Sequence, residues 1–199
     1  DRFTIRNLEL FYSPNENATT LIDVLDSSCS PMGSRLMKRW LALPLKHKQP
    51  ILDRQESVKF FIQNSSIMDD IKTHVKQIGD LERLISKVAL QRINPREVVT
   101  LKRNLLSLLP IIELTRSSKN KTIQVLGNQL DSCDFIREKI ETELDEDAPV
   151  QIIKGNVIRP GVSDELDELR LMLNNSKEYL KSIQAKEIEQ SGIQSLKIG

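Results

Sequence analysis

Aromatic residues make up only 4% of this 199-residue sequence, and glycine (7) and proline (8) are few. Those shortages argue against a sandwich or barrel, which needs strand-forming aromatics and frequent tight turns. Only two cysteines occur, Cys29 and Cys133. They lie far apart and form no C-x-x-C pair, so both are expected as buried, reduced thiols. His47 and His74 have no partner at ligand spacing, and no metal is expected at either. No apolar run approaches the ~20 residues that span a bilayer. No signal peptide is visible either, which makes the cytoplasm the expected compartment. Neither sign of charge dominates. The 29 basic and 28 acidic residues leave a net +1, which removes the bulk electrostatic argument for a free-standing nucleic-acid binder.

What is present is a helix-forming alphabet. Hydrophobic residues are 39% and charged residues 29% of the chain, enough for a sizeable core without disulfides or metals. Leu, Ile, Glu, Lys and Arg dominate, which favours helix. Leu8 to Phe11 reads as extended, and Pro14-Asn15-Glu16-Asn17 breaks it. A short helix follows, capped by Thr19 or Thr20, with Leu21, Val24 and Leu25 at helical spacing. Ser30 and Pro31 suit the N-cap and first position of the next helix, which carries Leu36, Met37, Trp40 and Leu41 and stops before Pro44. Trp40 is expected in the core.

Further helical patterns run from 51 to 63 (Leu52, Val58, Phe61, Ile62), then from a cap at Ser66 (Ile67, Ile71, Val75, Ile78). Gly79 ends that pattern, and Asp80 caps another with Leu81, Leu84, Ile85 and Val88 on one face. Asn94-Pro95 opens a helix carrying Val98, Leu101, Leu105, Leu108 and Ile112, and Pro110 should break it near Leu109. Ile123/Leu126/Leu130 and Ile136/Ile140/Leu144 mark two more. The texture then changes. Val150–Ile153 and Val157–Arg159, either side of Gly155-Asn156, are expected to pair as a small hairpin. Ser163 opens the longest run, to about Gln190. Leu166, Leu169, Leu173, Leu180 and Ile183 fall near heptad spacing in it. At 1.5 Å per residue that rod reaches about 40 Å, so it should project and pack on another long helix. Gly192 ends it, and IQSLKIG begins a possible strand, as if the sequence came from something larger.

Chemistry-bearing motifs are missing. A phosphate loop requires G-x-x-x-x-G-K-[ST]. After Gly33 the fifth residue is Lys38, and Lys38-Arg39-Trp40 stands where Gly-Lys-Ser/Thr is needed. A weaker option at the same place is anion binding at the helix N-terminus beside Arg35. Its alternative is that Gly33 permits close backbone approach and that Arg35, Lys38 and Arg39 are solvated or pair with carboxylates. No Ser/His/Asp set, H-E-x-x-H or EF-hand pattern occurs. The acidic run Glu141, Glu143, Asp145, Glu146 and Asp147 lacks the glycine and spacing of a calcium loop and reads as a solvated helix end. No catalytic, DNA-binding, cofactor-binding or metal-binding residue is assigned, and the chain itself is not expected to be an enzyme.

The run "LIDVLDSSCSPMGSRLMKRWLALPL" followed by "ILDRQESVKFF" and "IGDLERLISKVALQRINPREVVTLKRNLLSLLP" resembles the core segment of the MutS family of DNA mismatch-repair proteins. "GVSDELDELRLML" and the terminal "GIQSLKIG" resemble the same family in the same order, so the resemblance covers nearly the whole chain. It implies an all-α fold built as a multi-helix core with a small hairpin and a long lever helix. The implied divisions are 1–149 for the core, 150–162 for the hairpin connector, 163–191 for the lever and 192–199 for the start of a clamp.

The resemblance further implies a longer parent, a homodimer that binds mismatched duplex DNA and couples this to ATP binding and hydrolysis. ATP and Mg would act in the parent's ATPase and no cofactor in this segment. The mismatch reader, most of the clamp and the ATPase would lie outside this sequence. PMGSR and GDLERL look closer to the repair branch than to a recombination-type relative. An alternative is a helical adaptor that binds protein partners through the apolar face of the long helix. The chain alone is expected to self-associate through Leu166, Leu169, Leu173, Leu180 and Ile183, because that stripe lacks its partner.

Overall fold

A computed structural model describes residues 2–174 and 176–191. These residues are mostly helical. The helices are α1 (Arg2–Asn7), α2 (Leu21–Leu25), α3 (Pro31–Ala42), α4 (Lys48–Gln63), α5 (Ser65–Gln77) and α6 (Leu81–Ala89). They continue with α7 (Pro95–Leu106), α8 (Leu109–Arg116), α9 (Lys121–Asn128), α10 (Asp134–Glu143), α11 (Asp164–Asn174) and α12 (Ser176–Ser191).

The helix starts follow local chemistry. The first N–H groups of a helix have no internal partner, and a short polar side chain just before them supplies one. Ser30 Oγ accepts from Gly33 N at 3.1 Å, with Pro31 at the first position of α3. Asn94 Oδ1 accepts from Glu97 N at 3.0 Å while Glu97 Oε2 accepts from Asn94 N at 3.2 Å, a reciprocal capping box on α7. Asp80 caps α6 through Arg83 N. Thr20 precedes α2, and Asp23 accepts both its N–H and its hydroxyl. Pro110 separates α7 from α8 as its missing donor requires.

Two packing groups result. Helices α4 and α5 pack on each other, α5 on α8, α4 on α9, and α8 on α9, closing a four-helix group. Helix α7 packs on α6 and α10. The core gathers Val99 and Leu105 of α7, Ile111 and Ile112 of α8, Ile123 of α9 and Ile140 of α10. The α8–α9 crossing is close. A Cβ at Gly127 would lie 2.4 Å from Thr115 Oγ1 and 2.9 Å from Arg116 N. Thr115 turns its hydroxyl to the carbonyls of Ile111 and Ile112, and Arg116 donates to Gly127 O and Leu130 O, closing the end of α9.

The PMGSR segment is fastened to GDLERL. Arg35 donates from Nη1 and Nη2 to the two oxygens of Asp80 at 2.8 and 2.7 Å, and from Nε to Glu82 at 2.7 Å. This bidentate fork joins α3 to the start of α6. Arg35 therefore takes the carboxylate-pairing alternative. Its hydrogen bonds hold the Asp80 carboxyl down at about 2.

Several sequence-based expectations are corrected. Arg2–Asn7 is helical and Leu8 to Phe11 forms turns instead of an extended segment, with Leu21 N and Ile22 N bonded to the carbonyls of Glu9 and Leu10. In α2 the buried residue is Ile22, while Leu21, Val24 and Leu25 are exposed, because so short a helix is oriented by its neighbours and not by its own stripe. Trp40 is not in the core. It is 39% exposed, and the Arg54 guanidinium of α4 covers its ring at 3.5 Å. On α4 itself Leu52, Val58 and Ile62 are exposed, as are Ile85 and Val88 of α6, Leu126 of α9 and Ile136 of α10. Both cysteines are free thiols but only half-buried.

The expected hairpin does not form. Gly155 and Asn156 do turn the chain, both at positive φ. Ahead of them Ile152–Lys154 coils into a 3₁₀ turn and uses its donors locally, Lys154 N to Gln151 O and Gly155 N to Ile152 O. Ile152 and Ile153 face solvent, the latter 93% exposed, so no burial holds an extended strand there. Residues 157–159 pair instead with 143–145 through one antiparallel bridge, Leu144 to Ile158. Asp145 N donates to Val157 O and Arg159 N to Glu143 O, each at 2.9 Å. The expected rod is seen as α11 and α12. Its continuity at Asn175, and the strand expected at 192–199, lie outside the described residues.

Gly127→Ala should lower the stability of the chain by about 1–3 kcal/mol, because the added methyl forces α8 and α9 apart. Urea denaturation checks this, with the exposed Leu126→Ala as a control that shifts the midpoint far less. Asp80 is lowered in the folded state, so its contribution is complete above its unfolded value and disappears as pH falls through its folded one. Stability measured from about pH 4 down to about pH 2 should therefore fall less steeply in Arg35→Met than in the parent chain.

Candidate functional site

Lys102 lies on α7 one turn from Val99 on one side and from Leu105 on the other, so the helix carries it onto the buried face. Its side chain is only 5% exposed. A buried ammonium needs acceptors and countercharge, and it has both. Lys102 Nζ donates to Glu141 on α10 and to Glu146 in the turn that follows. Burial pulls its pKa down, and the two carboxylates overcome this and leave it raised. Hydrogen bonds from Lys102 hold both Glu141 and Glu146 below the usual carboxylate range.

The same carboxylates serve further cations. Arg103 donates from Nε to Glu146 Oε1 at 3.0 Å. Arg159 stands just past the bridge, reaches Glu141 Oε1 at 3.4 Å and lies 4.0 Å from Glu146 Oε2, while its Nε donates to Leu144 O at 2.7 Å. One residue earlier the Ile158 carbonyl accepts Nη2 of Arg170, on α11, at 2.6 Å. Arg170 is steadied by Asp167 at 2.9 Å, and Asp167 also accepts from Gly161 N. Ser163 Oγ accepts from Leu166 N at the start of the helix. The core helix α7 is thus linked to the root of α11 by polar contacts running through α10 and the Leu144–Ile158 bridge.

The acidic run is partly in solvent, as expected of a helix end, but two of its members have a further role. Glu141 and Glu146 compensate a buried cation. The signal was in the sequence: "VVTLKRNLL" places Lys102 on the apolar stripe, where a lysine needs a partner. Past the anchor, α11 and α12 expose Leu169 (50%), Leu173 (79%) and Leu180, while Leu166 and Ile183 are half-buried. Among the described residues no group of three or more His, Cys, Asp or Glu could hold a metal ion, and no helix is long and apolar enough to cross a membrane.

Removing the carboxylates should hurt more than removing the ammonium. Glu141→Gln with Glu146→Gln leaves the Lys102 ammonium without countercharge and should lower stability. Lys102→Met, which releases carboxylates already half in water, should cost less than half of that. Urea midpoints at neutral pH compare the two; equal losses would contradict the electrostatic account.

Residues 3–197 match the family described as MutS domain III. The chain is 52% identical over 198 residues to the DNA mismatch repair protein MutS of Flavobacterium johnsoniae, and 52% identical over 199 residues to that of Christiangramia forsetii. It is 46% identical over 198 residues to that of Bacteroides fragilis. Each alignment covers 100% of this chain and 23% of the relative, so the chain spans about a quarter of the length of the relatives it matches. With the family pattern running through core, bridge and outgoing helices alike, the chain belongs to the MutS domain III family.

Proposed function

We propose that this chain is the core and outgoing lever of a full-length MutS-type protein, with core residues 1–149, a connector at 150–162, the lever at 163–191 and the start of a clamp at 192–199. The full-length protein is a cytoplasmic homodimer that binds mismatched duplex DNA. It couples that binding to ATP hydrolysis in a magnesium-dependent ATPase lying elsewhere in the polypeptide. Within this chain the work is mechanical: a packed core holds the root of a long helix, and movement at one end is carried to the other as a near-rigid displacement. The observation that supports this is the unequal treatment of the two ends of α11. Its first turns are tied to the core through Arg170 and Ile158 O, while Leu173 beyond them is bare. A helix anchored at the root, with Leu169, Leu173 and Leu180 exposed along it, suits a lever awaiting a second helix, and these leucines lead the isolated chain to self-associate.

Leu173→Pro tests the lever. A proline inside a helix costs about 3 kcal/mol or more and breaks the rod. In the full-length protein the variant should keep its basal ATPase within about twofold and lose stimulation by mismatched duplex, since only the link between sites is cut. Stimulation equal to that of the parent protein would refute the lever. It would leave the adaptor alternative, in which the stripe binds another protein.

A further inference from the structure

We propose that Lys102 is the positioning residue that locks the root of α11 to the core, acting through Glu141, Glu146 and Arg159. The proposal rests on the lever reading above and deepens it. One ammonium on α7 holds Glu141 on α10 and Glu146 in the next turn. Both carboxylates lie beside Arg159, which also grips Leu144 O across the bridge. From Arg159 it is one peptide unit to Ile158 O, the acceptor of Arg170 on α11. A shift of α11 therefore has to be carried by, or has to break, contacts that converge on Lys102.

The choice of a buried ion is what points beyond packing. Apolar side chains of similar volume in place of the ammonium and both carboxylates together would serve stability as well or better, since they carry no desolvation penalty. They would also let α10 and the bridge slide, because apolar contact is non-directional. An ammonium between two carboxylates holds its partners within hydrogen-bond distance and lets them go only when those charge-assisted bonds break. Two discrete arrangements, latched and unlatched, are what transmission between distant sites requires. Arg103 and the exposed halves of Glu141 and Glu146 leave the cluster open to water on one side, so release does not require the core to open.

The test uses the full-length protein carrying Lys102→Met, Lys102→Arg or Arg159→Gln, with Leu173→Pro as the reference for the lever. Three quantities are read: basal ATPase kcat, kcat at saturating mismatched duplex, and the duplex concentration giving half-maximal stimulation. Lys102→Met and Arg159→Gln should each reduce the stimulated rate by about five- to tenfold. Basal kcat and the half-maximal concentration should stay within about twofold, a split that loss of stability alone does not produce. Lys102→Arg, which keeps the charge, should restore at least half of the stimulation. If Lys102→Met and Arg159→Gln retain full stimulation while Leu173→Pro abolishes it, the latch is wrong and the lever stands. If all three retain it, both readings fall. Should Lys102→Met fold poorly, the half-exposed Arg159→Gln decides by itself. Loss in Lys102→Met without recovery in Lys102→Arg would overturn the role of charge.

Discussion

A lysine ammonium carried into the interior by α7 is the contact around which α10, the turn after it and the root of α11 are gathered. Water would solvate that charge far better than carbon does, so its burial is tolerable only where oxygen atoms converge on it. Glu141 and Glu146 converge, and in doing so fix where α10 ends and where the next turn lies. That turn sets Leu144 opposite Ile158, and the bridge sets the carbonyl to which Arg170 returns. Each step is an ordinary hydrogen bond or ion pair worth little alone. Together they tie the first turns of α11 to α10 and α7.

The four-helix group of α4, α5, α8 and α9 is organised differently. There the close crossing of α8 and α9 at Gly127 brings backbone to side chain without an intervening Cβ, and α4 and α5 pack around that pair. The fork of Arg35 on Asp80 and Glu82 joins α3 to the start of α6, in the other packing group, through charge geometry. The two runs "PMGSR" and "GDLERL", far apart in the sequence, therefore touch. A large share of apolar side chains on α3, α4, α6, α11 and α12 stays in solvent. That is a high exposed load for one chain, and it accords with a segment that spans about a quarter of its relatives' length.

What was legible came in units of three or four residues. Ser30 with Gly33, Asn94 with Glu97 and Asp80 with Arg83 are caps decided by neighbours along the chain, so these three helix starts could be read directly, whereas α4 begins at Lys48 instead of 51 and Ser66, expected as a cap, lies inside α5. Pro110 interrupts α7 and α8 for an equally local reason. Faces were harder to read. Ile22 is buried and Leu21, Val24 and Leu25 are not, since a five-residue helix offers several stripes and its surroundings choose one. Trp40 ended on the surface because α4 supplied a guanidinium to cover it, and α4 lies beyond any local window. The hairpin failed because residues 143–145, not 150–153, were available to pair with 157–159.

By itself, then, the sequence determined the helical alphabet, the caps and breaks, the family, and the absence of a phosphate loop. These depend on residue identity and on contacts within one turn. Only the tertiary structure decided which side of each helix faces inward. It alone showed that two carboxylates of the half-solvated acidic run compensate a lysine about 40 positions earlier, and that Arg170 of α11 donates to the bridge beside them. The physical reason is the range of the interactions: hydrogen bonds at a helix end are local to the chain, whereas countercharge for a buried ion is recruited from whatever the fold brings near.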